Sequence, residues 1–234
     1  MTNPLTLSPL EVEALRLSLL VSLCAVAVSL PPGIFCAWLL ARRRFPGKIL
    51  LDGLIHLPLV LPPVVVGYAL LVTFGRHGLI GAWLHDALGI TLAFNWKGAA
   101  LASAVISFPL LVRAIRLSLE SIDSGIEAAA RTLGAGPLAV FFTITLPLAL
   151  PGLLTGTILA FARSLSEFGA TITFVSSIPG ETRTLPLALY GLTQTPDGAA
   201  GAARLCILSV IVAMAALIAS ELLARRMARR GALV

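Results

Sequence analysis

Charge is what this 234-residue chain has least of: 12% of its residues are Asp, Glu, Lys or Arg, against roughly 25% in a soluble domain. With 58% hydrophobic residues and a mean hydropathy of +0.98, a soluble fold is excluded. Cysteine and histidine are scarce as well, three of each. Cys24, Cys36 and Cys206 lie inside apolar runs without CxxC spacing, and His56, His77 and His85 have no ligand partner at fixed spacing. Neither a redox pair nor a metal site is supported. The chain carries no GxxxxGK[ST] loop, so it is not expected to hydrolyse ATP, and no HExxH-type set marks a membrane enzyme. The net charge of +6 does not point to nucleic acid, because the basic residues form no stripe interleaved with aromatics.

What the chain does have is long apolar runs with basic residues at their ends. Leu17 to Ala41 is charge-free for 25 residues, about 37 Å as a helix against a hydrocarbon core of roughly 30 Å. Glu11 and Glu13 precede it where a signal peptide would carry basic residues. A second run, Gly53 to Gly75, contains Pro58, Pro62 and Pro63, which remove backbone donors in mid-span. Gly98 to Val112 supplies a third span and Leu205 to Ser220 a last one, both extended by their flanks. Thr132 to Ala162 is too long for one span, so the fourth is expected to begin near Leu146. Phe168 to Gly180 and Thr184 to Pro196 are 13 residues each, a length suited to interfacial or re-entrant segments, with a sixth span as the alternative. The polar stretch Arg76 to Lys97 reads as an external loop.

The expectation is an all-α integral membrane protein of about five spans, one membrane domain over residues 1–234. Of the 17 basic residues, 11 fall in two loops and the tail that this layout puts on one side: 42, 43, 44 and 48; 113, 116 and 131; and 225, 226, 229 and 230. By the positive-inside rule the N-terminus lies outside and the C-terminus in the cytoplasm.

The most informative stretch runs from Glu127 to Pro147. Glu127, Ala128, Ala129, Ala130, Arg131, Thr132 and Leu133 form a short helix with a thin, alanine-rich surface. Gly134 or Gly136 can supply the positive φ of a C-cap around Ala135, and Pro137 stops continuation. Ala129, Ala130 and Leu133 lie together on one face, expected to be ringed by Glu127 and Arg131. Elsewhere, Gly152, Gly156 and Ala160 recur every four residues and allow close helix contact, within one subunit or between two. Arg163 and Glu167 share the same spacing in or near a span, where pairing or an anion pathway would explain them. The prolines of the second run fit either pathway lining or packing kinks.

The Glu127–Pro147 stretch resembles the EAA loop of ABC importer permeases: Ala129, Ala130, Gly134, Ile144, Leu146 and Pro147 fall at pattern positions. The glutamate position holds Ala128, and the carboxylate sits one residue early at Glu127. Leu57–Tyr68, Phe141–Leu148, Ala162–Phe174 and Ile178–Arg183 extend the similarity over nearly the whole chain, to the permeases of molybdate ABC importers. The resemblance implies a type I permease fold with a core over about 13–222 and a cytoplasmic loop over about 120–147. It implies a homodimer in the cell inner membrane, two cytoplasmic ATP-binding subunits that hold ATP and Mg, and a periplasmic oxyanion-binding protein. It implies coupling to the ATPase through residues 127–136 and no cofactor in this chain. Tungstate or sulfate are the alternative cargoes. A secondary transporter or channel is the rival class, expected to show inverted repeats or paired intramembrane carboxylates, and neither is seen.

Overall fold

The computed structural model describes residues 8–231, with side chains throughout except at 220, 221 and 223–231. The described residues form helices and connecting turns, with no strand among them. Three helices are long and apolar enough to cross a membrane: α1 (Pro9–Arg42), α5 (Trp96–Ser121) and α12 (Ala199–Gly231). Two bent pairs bring the number of spans to five if each pair is one span. The first joins α2 (Lys48–Val60) to α3 (Pro63–Phe74) at 113°; the second joins Pro137–Leu148 to α9 (Leu150–Leu165) at 66°. The arginines at 225, 226, 229 and 230 lie on the α12 backbone, but their side chains are outside the described set, as is Val234.

α1 begins with a complete capping box. Ser8 Oγ accepts from the Glu11 backbone N–H, Glu11 Oε2 accepts from the Ser8 N–H at 2.7 Å, and Pro9 occupies the first turn, where its missing donor costs nothing. Glu11 also accepts from Arg204 Nε at 2.9 Å, tying the start of α1 to the start of α12. Along its length α1 buries Ala14, Ser18, Ser22, Ala25, Ser29, Gly33 and Ala37. Small residues at these spacings let helices approach closely, which matters in lipid because apolar surface alone does not drive helices together.

α5 is the central rod. Its Ala99, Ala102 and Ile106 pack with Phe174 and Val175 in one buried cluster, and Leu111, Val112 and Ile115 pack with Leu40 and Ala160 in a second. α9 runs antiparallel across it. A Cβ on Gly152 would overlap the Cβ of Ser118, and one on Gly156 would lie 3.0 Å from the Leu111 carbonyl oxygen. The small-residue spacing on α9 therefore serves packing against α5 of the same chain.

Two segments add to the sequence expectation. The Arg76 to Lys97 stretch, expected to be an external loop, contains a helix, α4 (Leu79–Leu88), closed by Gly89. Phe168–Gly180, expected to be interfacial or re-entrant, forms the short helix α10 (Gly169–Val175), whose Ala170, Thr171, Phe174 and Val175 are buried against α3 and α5. Thirteen charge-free residues are too few to span, and which neighbours cover them is decided by packing that local hydropathy does not reveal. The remaining helices are α6 (Ser124–Thr132), α7 (Pro137–Val140), α8 (Leu146–Leu148) and α11 (Leu185–Thr193). α11 is anchored by its Leu185 N–H donating to Ser18 Oγ at 2.7 Å. Outward faces are apolar, as Ile207, Val210, Ile211, Met214 and Ile218 on α12 illustrate, the reverse of a water-soluble bundle.

Gly152→Val is expected to force α9 away from α5 at a cost of about 1–3 kcal/mol, lowering membrane abundance and the thermal midpoint in detergent. Gly53→Ala, where a new Cβ meets nothing within 4 Å, serves as the control. Wild-type abundance and midpoint for Gly152→Val would contradict the packing.

Candidate functional site

The residues singled out from the sequence fall into two places, a loop at the basic end of the bundle and a pair of helix breaks farther along it. The loop opens with Asp123, whose Oδ1 accepts from the Gly125 N–H at 2.8 Å and caps α6. α6 ends in a Schellman motif: the Gly134 N–H donates to Arg131 O at 3.0 Å and the Ala135 N–H to Ala130 O at 3.1 Å. Gly134 has φ +90° and open space around it, so only the backbone dictates glycine there. Gly136 has φ −68° and instead precedes α7 as its cap.

Ala128, Ala129, Arg131, Thr132 and Leu133 are exposed, Leu133 to 88%, and Ile126 and Leu138 extend this apolar surface. Ala130 and Ala135 are half-buried. Glu127 does not ring the apolar face as expected. It is turned inward, 8% exposed, with Oε1 accepting from Thr145 Oγ1 at 2.9 Å and lying 2.9 Å from Arg42 Nη2. Arg131 is 4.0 Å from its other oxygen. A buried carboxylate is retained only when its charge is compensated, and the compensating guanidinium comes from the end of α1.

Between α7 and α8 the chain makes one turn of π-helix, Phe141–Thr145. The wider turn leaves Thr145 buried and directed at Glu127; such turns are frequent at functional sites. Ile144 and Leu146 flank it half-buried, and Pro147 is exposed.

The second place is the pair of breaks. Leu61 and Pro62 separate α2 from α3, which Pro63 begins, and residues 166–168 separate α9 from α10. They meet: a Cβ on Gly169 would lie 2.7 Å from Pro63 Cβ, and one on Gly67 would lie 2.6 Å from Ala170 O. Arg163 and Glu167 sit at the second break, Nη1 to Oε2 at 2.7 Å, with the Glu167 side chain 1% exposed and the Arg163 side chain 28%. Glu167 Oε1 also accepts from the Ala170 N–H at 2.8 Å, capping α10. Pro58 lies apart from this junction, beside Ser29, Pro32, Ile55 and Phe108 on an apolar cavity of about 320 Å³.

Sequence reasoning missed Arg42 and Thr145 as partners of Glu127. It also missed a network joining α2 to α5: Arg116 reaches Asp52 at 2.9 Å and Glu120 at 2.8 Å, and His56 lies 3.1 Å from Asp52. Arg42 and Arg116 read as orientation charges, and within this network only Arg116 with Glu120 and His56 with Asp52 share a helical spacing that could have signalled a pair.

Comparison with known proteins gives this arrangement its family. The model of the binding-protein-dependent transport system inner membrane component matches residues 29–229. The chain belongs to that family. The molybdenum transport system permease protein ModB of Escherichia coli (strain K12) is 68% identical over 215 residues, 92% of this chain and 94% of that one. Its counterpart in Haemophilus influenzae is 58% identical over 221 residues, 94% and 96% of the two chains. A sulfate transport system permease, CysW of Synechococcus elongatus, is 41% identical over 175 residues, 75% of this chain and 61% of that one. Among solved structures, a bacterial ABC transporter that imports alginate superposes with a TM-score of 0.75 at 16% identity, over 94% of this chain and 80% of that one. The inward-facing MetNI methionine ABC transporter superposes with a TM-score of 0.69 at 16% identity, over 93% and 94%. The chain is an all-α membrane permease subunit with the type I ABC importer permease fold.

In this permease Arg163→Ala or Glu167→Ala alone is expected to cost about 3 kcal/mol, since each leaves a poorly solvated charge unpaired. The double variant should lose less than the sum, with a coupling of roughly 1 kcal/mol or more in a double-mutant cycle on thermal stability in detergent. Strict additivity would show the pair to be independent.

Proposed function

We propose that this permease carries molybdate across the cytoplasmic membrane as a homodimer, driven by two ATP-binding subunits on its cytoplasmic face. The observation that carries the reading is the 68% identity to the Escherichia coli molybdenum permease over 92% of the chain. In this reading a periplasmic oxyanion-binding protein delivers the anion, and ATP and Mg are held by the partner ATPase. The N-terminus lies outside and the C-terminus inside. Arg42, which pairs with Glu127, heads the basic run of Arg43, Arg44 and Lys48, and this supports that orientation, because basic loops are retained on the cytoplasmic side.

Residues 127–136 form the contact with the ATPase, within a cytoplasmic loop over about 120–147 of a membrane domain that fills residues 1–234, its permease core over about 13–222. Support comes from the exposed apolar surface of Ile126, Ala129, Leu133 and Leu138; small side chains permit close approach and apolar ones reward desolvation. The pathway runs along the meeting breaks at Pro62, Pro63 and Gly169, with Arg163 beside them. A guanidinium left partly exposed in an apolar bundle is costly against acyl chains, so its open side faces water or a second subunit. Glu167 holds it in place. Pro58, inside α2 of the same broken span, lines an apolar cavity, while Gly152 and Gly156 serve packing.

Uptake of labelled molybdate, in cells deprived of their own permease and supplied with this one and its partners, tests the cargo. Saturable uptake that unlabelled molybdate suppresses far more than sulfate is expected. Preferential sulfate uptake would move the chain to the cargo class of its CysW relative. For the loop, Ala130→Glu should leave the protein inserted but reduce both ATPase pull-down and uptake at least tenfold. Wild-type uptake with Ala130→Glu at normal abundance would remove the coupling role.

A further inference from the structure

We infer that Arg42, Glu127 and Thr145 form a joint that passes movement of the loop helix into the spans, with Arg42 and Thr145 as positioning residues acting through Glu127. This rests on the proposed reading of residues 127–136 as the ATPase contact. The geometry is specific. One carboxylate on α6 is held by a guanidinium from the last turn of α1, at 2.9 Å, and by a hydroxyl from the π-turn leading into α9, at 2.9 Å. The same Arg42 Nη2 donates to the Ile122 carbonyl just past α5, at 3.4 Å. The ends of the three helices that build the core therefore converge on a single ion pair beneath the exposed loop.

Two further observations separate a joint from a mere clamp. Arg42 Nε is buried with no hydrogen-bond partner, so the guanidinium is incompletely satisfied here and has a donor free for a second arrangement. A buried polar group left unpaired is costly, and a state that engages this donor would be favoured by it. Thr145 sits in a π-turn and also approaches the Val140 carbonyl at 3.5 Å, so its hydroxyl has an alternative acceptor within the turn. Each partner of Glu127 thus has somewhere else to go. The loop helix has little other hold on the bundle: Glu127 is its only fully buried residue among those described.

The test uses the complete importer in membranes, with Thr145→Val, which keeps the side-chain shape but loses the hydroxyl, and Arg42→Gln, which leaves Arg43, Arg44 and Lys48 to hold orientation. Three quantities are read: ATPase pull-down, ATP hydrolysis, and labelled molybdate uptake over a range of concentrations. The expected result is pull-down within twofold of wild type, hydrolysis that persists, and a maximal uptake rate down at least fivefold at an unchanged half-saturating concentration, so that ATP spent per anion rises. Combining Arg42→Gln with Glu127→Gln should cost less than the product of the two single losses. Wild-type ATP-to-anion ratios in both single variants would overturn the joint. Should Arg42→Gln fail to accumulate, Thr145→Val decides alone. Loss of pull-down in Thr145→Val would also overturn it, since the residue would then only hold the contact surface in shape. Ala130→Glu in parallel separates the two readings: if it transports normally the ATPase contact itself is wrong, whereas its loss beside normal Thr145→Val and Arg42→Gln refutes the joint alone.

Discussion

The fold depends on the requirement that backbone amides and carbonyls surrounded by apolar groups find partners within the chain. Helices meet it automatically along their lengths, so its consequences show where helices stop. At the α2–α3 break, Pro62 and Pro63 bring no N–H to satisfy, and the Pro62 carbonyl accepts from Val65 and Val66. At the α9–α10 break, Ser166 and Glu167 fold their N–H groups back onto Ala162 and Ser164, and the Glu167 carboxylate takes the Ala170 N–H. That carboxylate then needs a cation, which Arg163 supplies from one turn earlier. The ion pair is thus a consequence of the break: the carboxylate caps α10 and the guanidinium compensates the carboxylate.

With hydrogen bonding met locally, association between helices rests on closeness of fit. Serine and alanine along α1, glycine on α9 and alanine on α5 allow the three axes to approach until backbone and side chain interlock. Dispersion contacts, small singly, accumulate over such interfaces. The large side chains divide between the buried clusters and the outward faces, where Leu23, Val28, Phe35 and the α12 residues present an apolar surface.

The basic end is organised differently. There, the loop helix and the spans are joined by charge and hydrogen bonds, around Glu127 and around Asp52, rather than by apolar packing. Directional contacts of this kind can exchange partners without opening a cavity, whereas interlocked cores resist gradual deformation. The division places the rigid contacts in the middle of the bundle and the exchangeable ones where a partner subunit is proposed to press.

The sequence by itself determined the solvent and the class: the scarcity of charge, the run lengths and the basic flanks require apolar helices, and the spacing from Ala129 to Pro147 identifies the loop. Those features are local, since hydropathy over some twenty residues and a fixed motif need no knowledge of distant neighbours. The helix end at Gly134 or Gly136 was legible for the same reason, because a helix followed by glycine and then proline announces its own end, and the positive φ then falls on Gly134. Only the tertiary structure decided that Glu127 turns inward. A helical face is defined by what packs on it, and Arg42 lies 85 positions away in the chain, Thr145 across a π-turn that no residue type announces. The burial of α10 escaped for a related reason: thirteen apolar residues fit an interface or a core equally well, and α3 and α5 settle which. The Arg163–Glu167 pair was visible as a spacing, but its place at a break that meets Pro63 through Gly169 follows from two breaks, about a hundred residues apart, meeting in space.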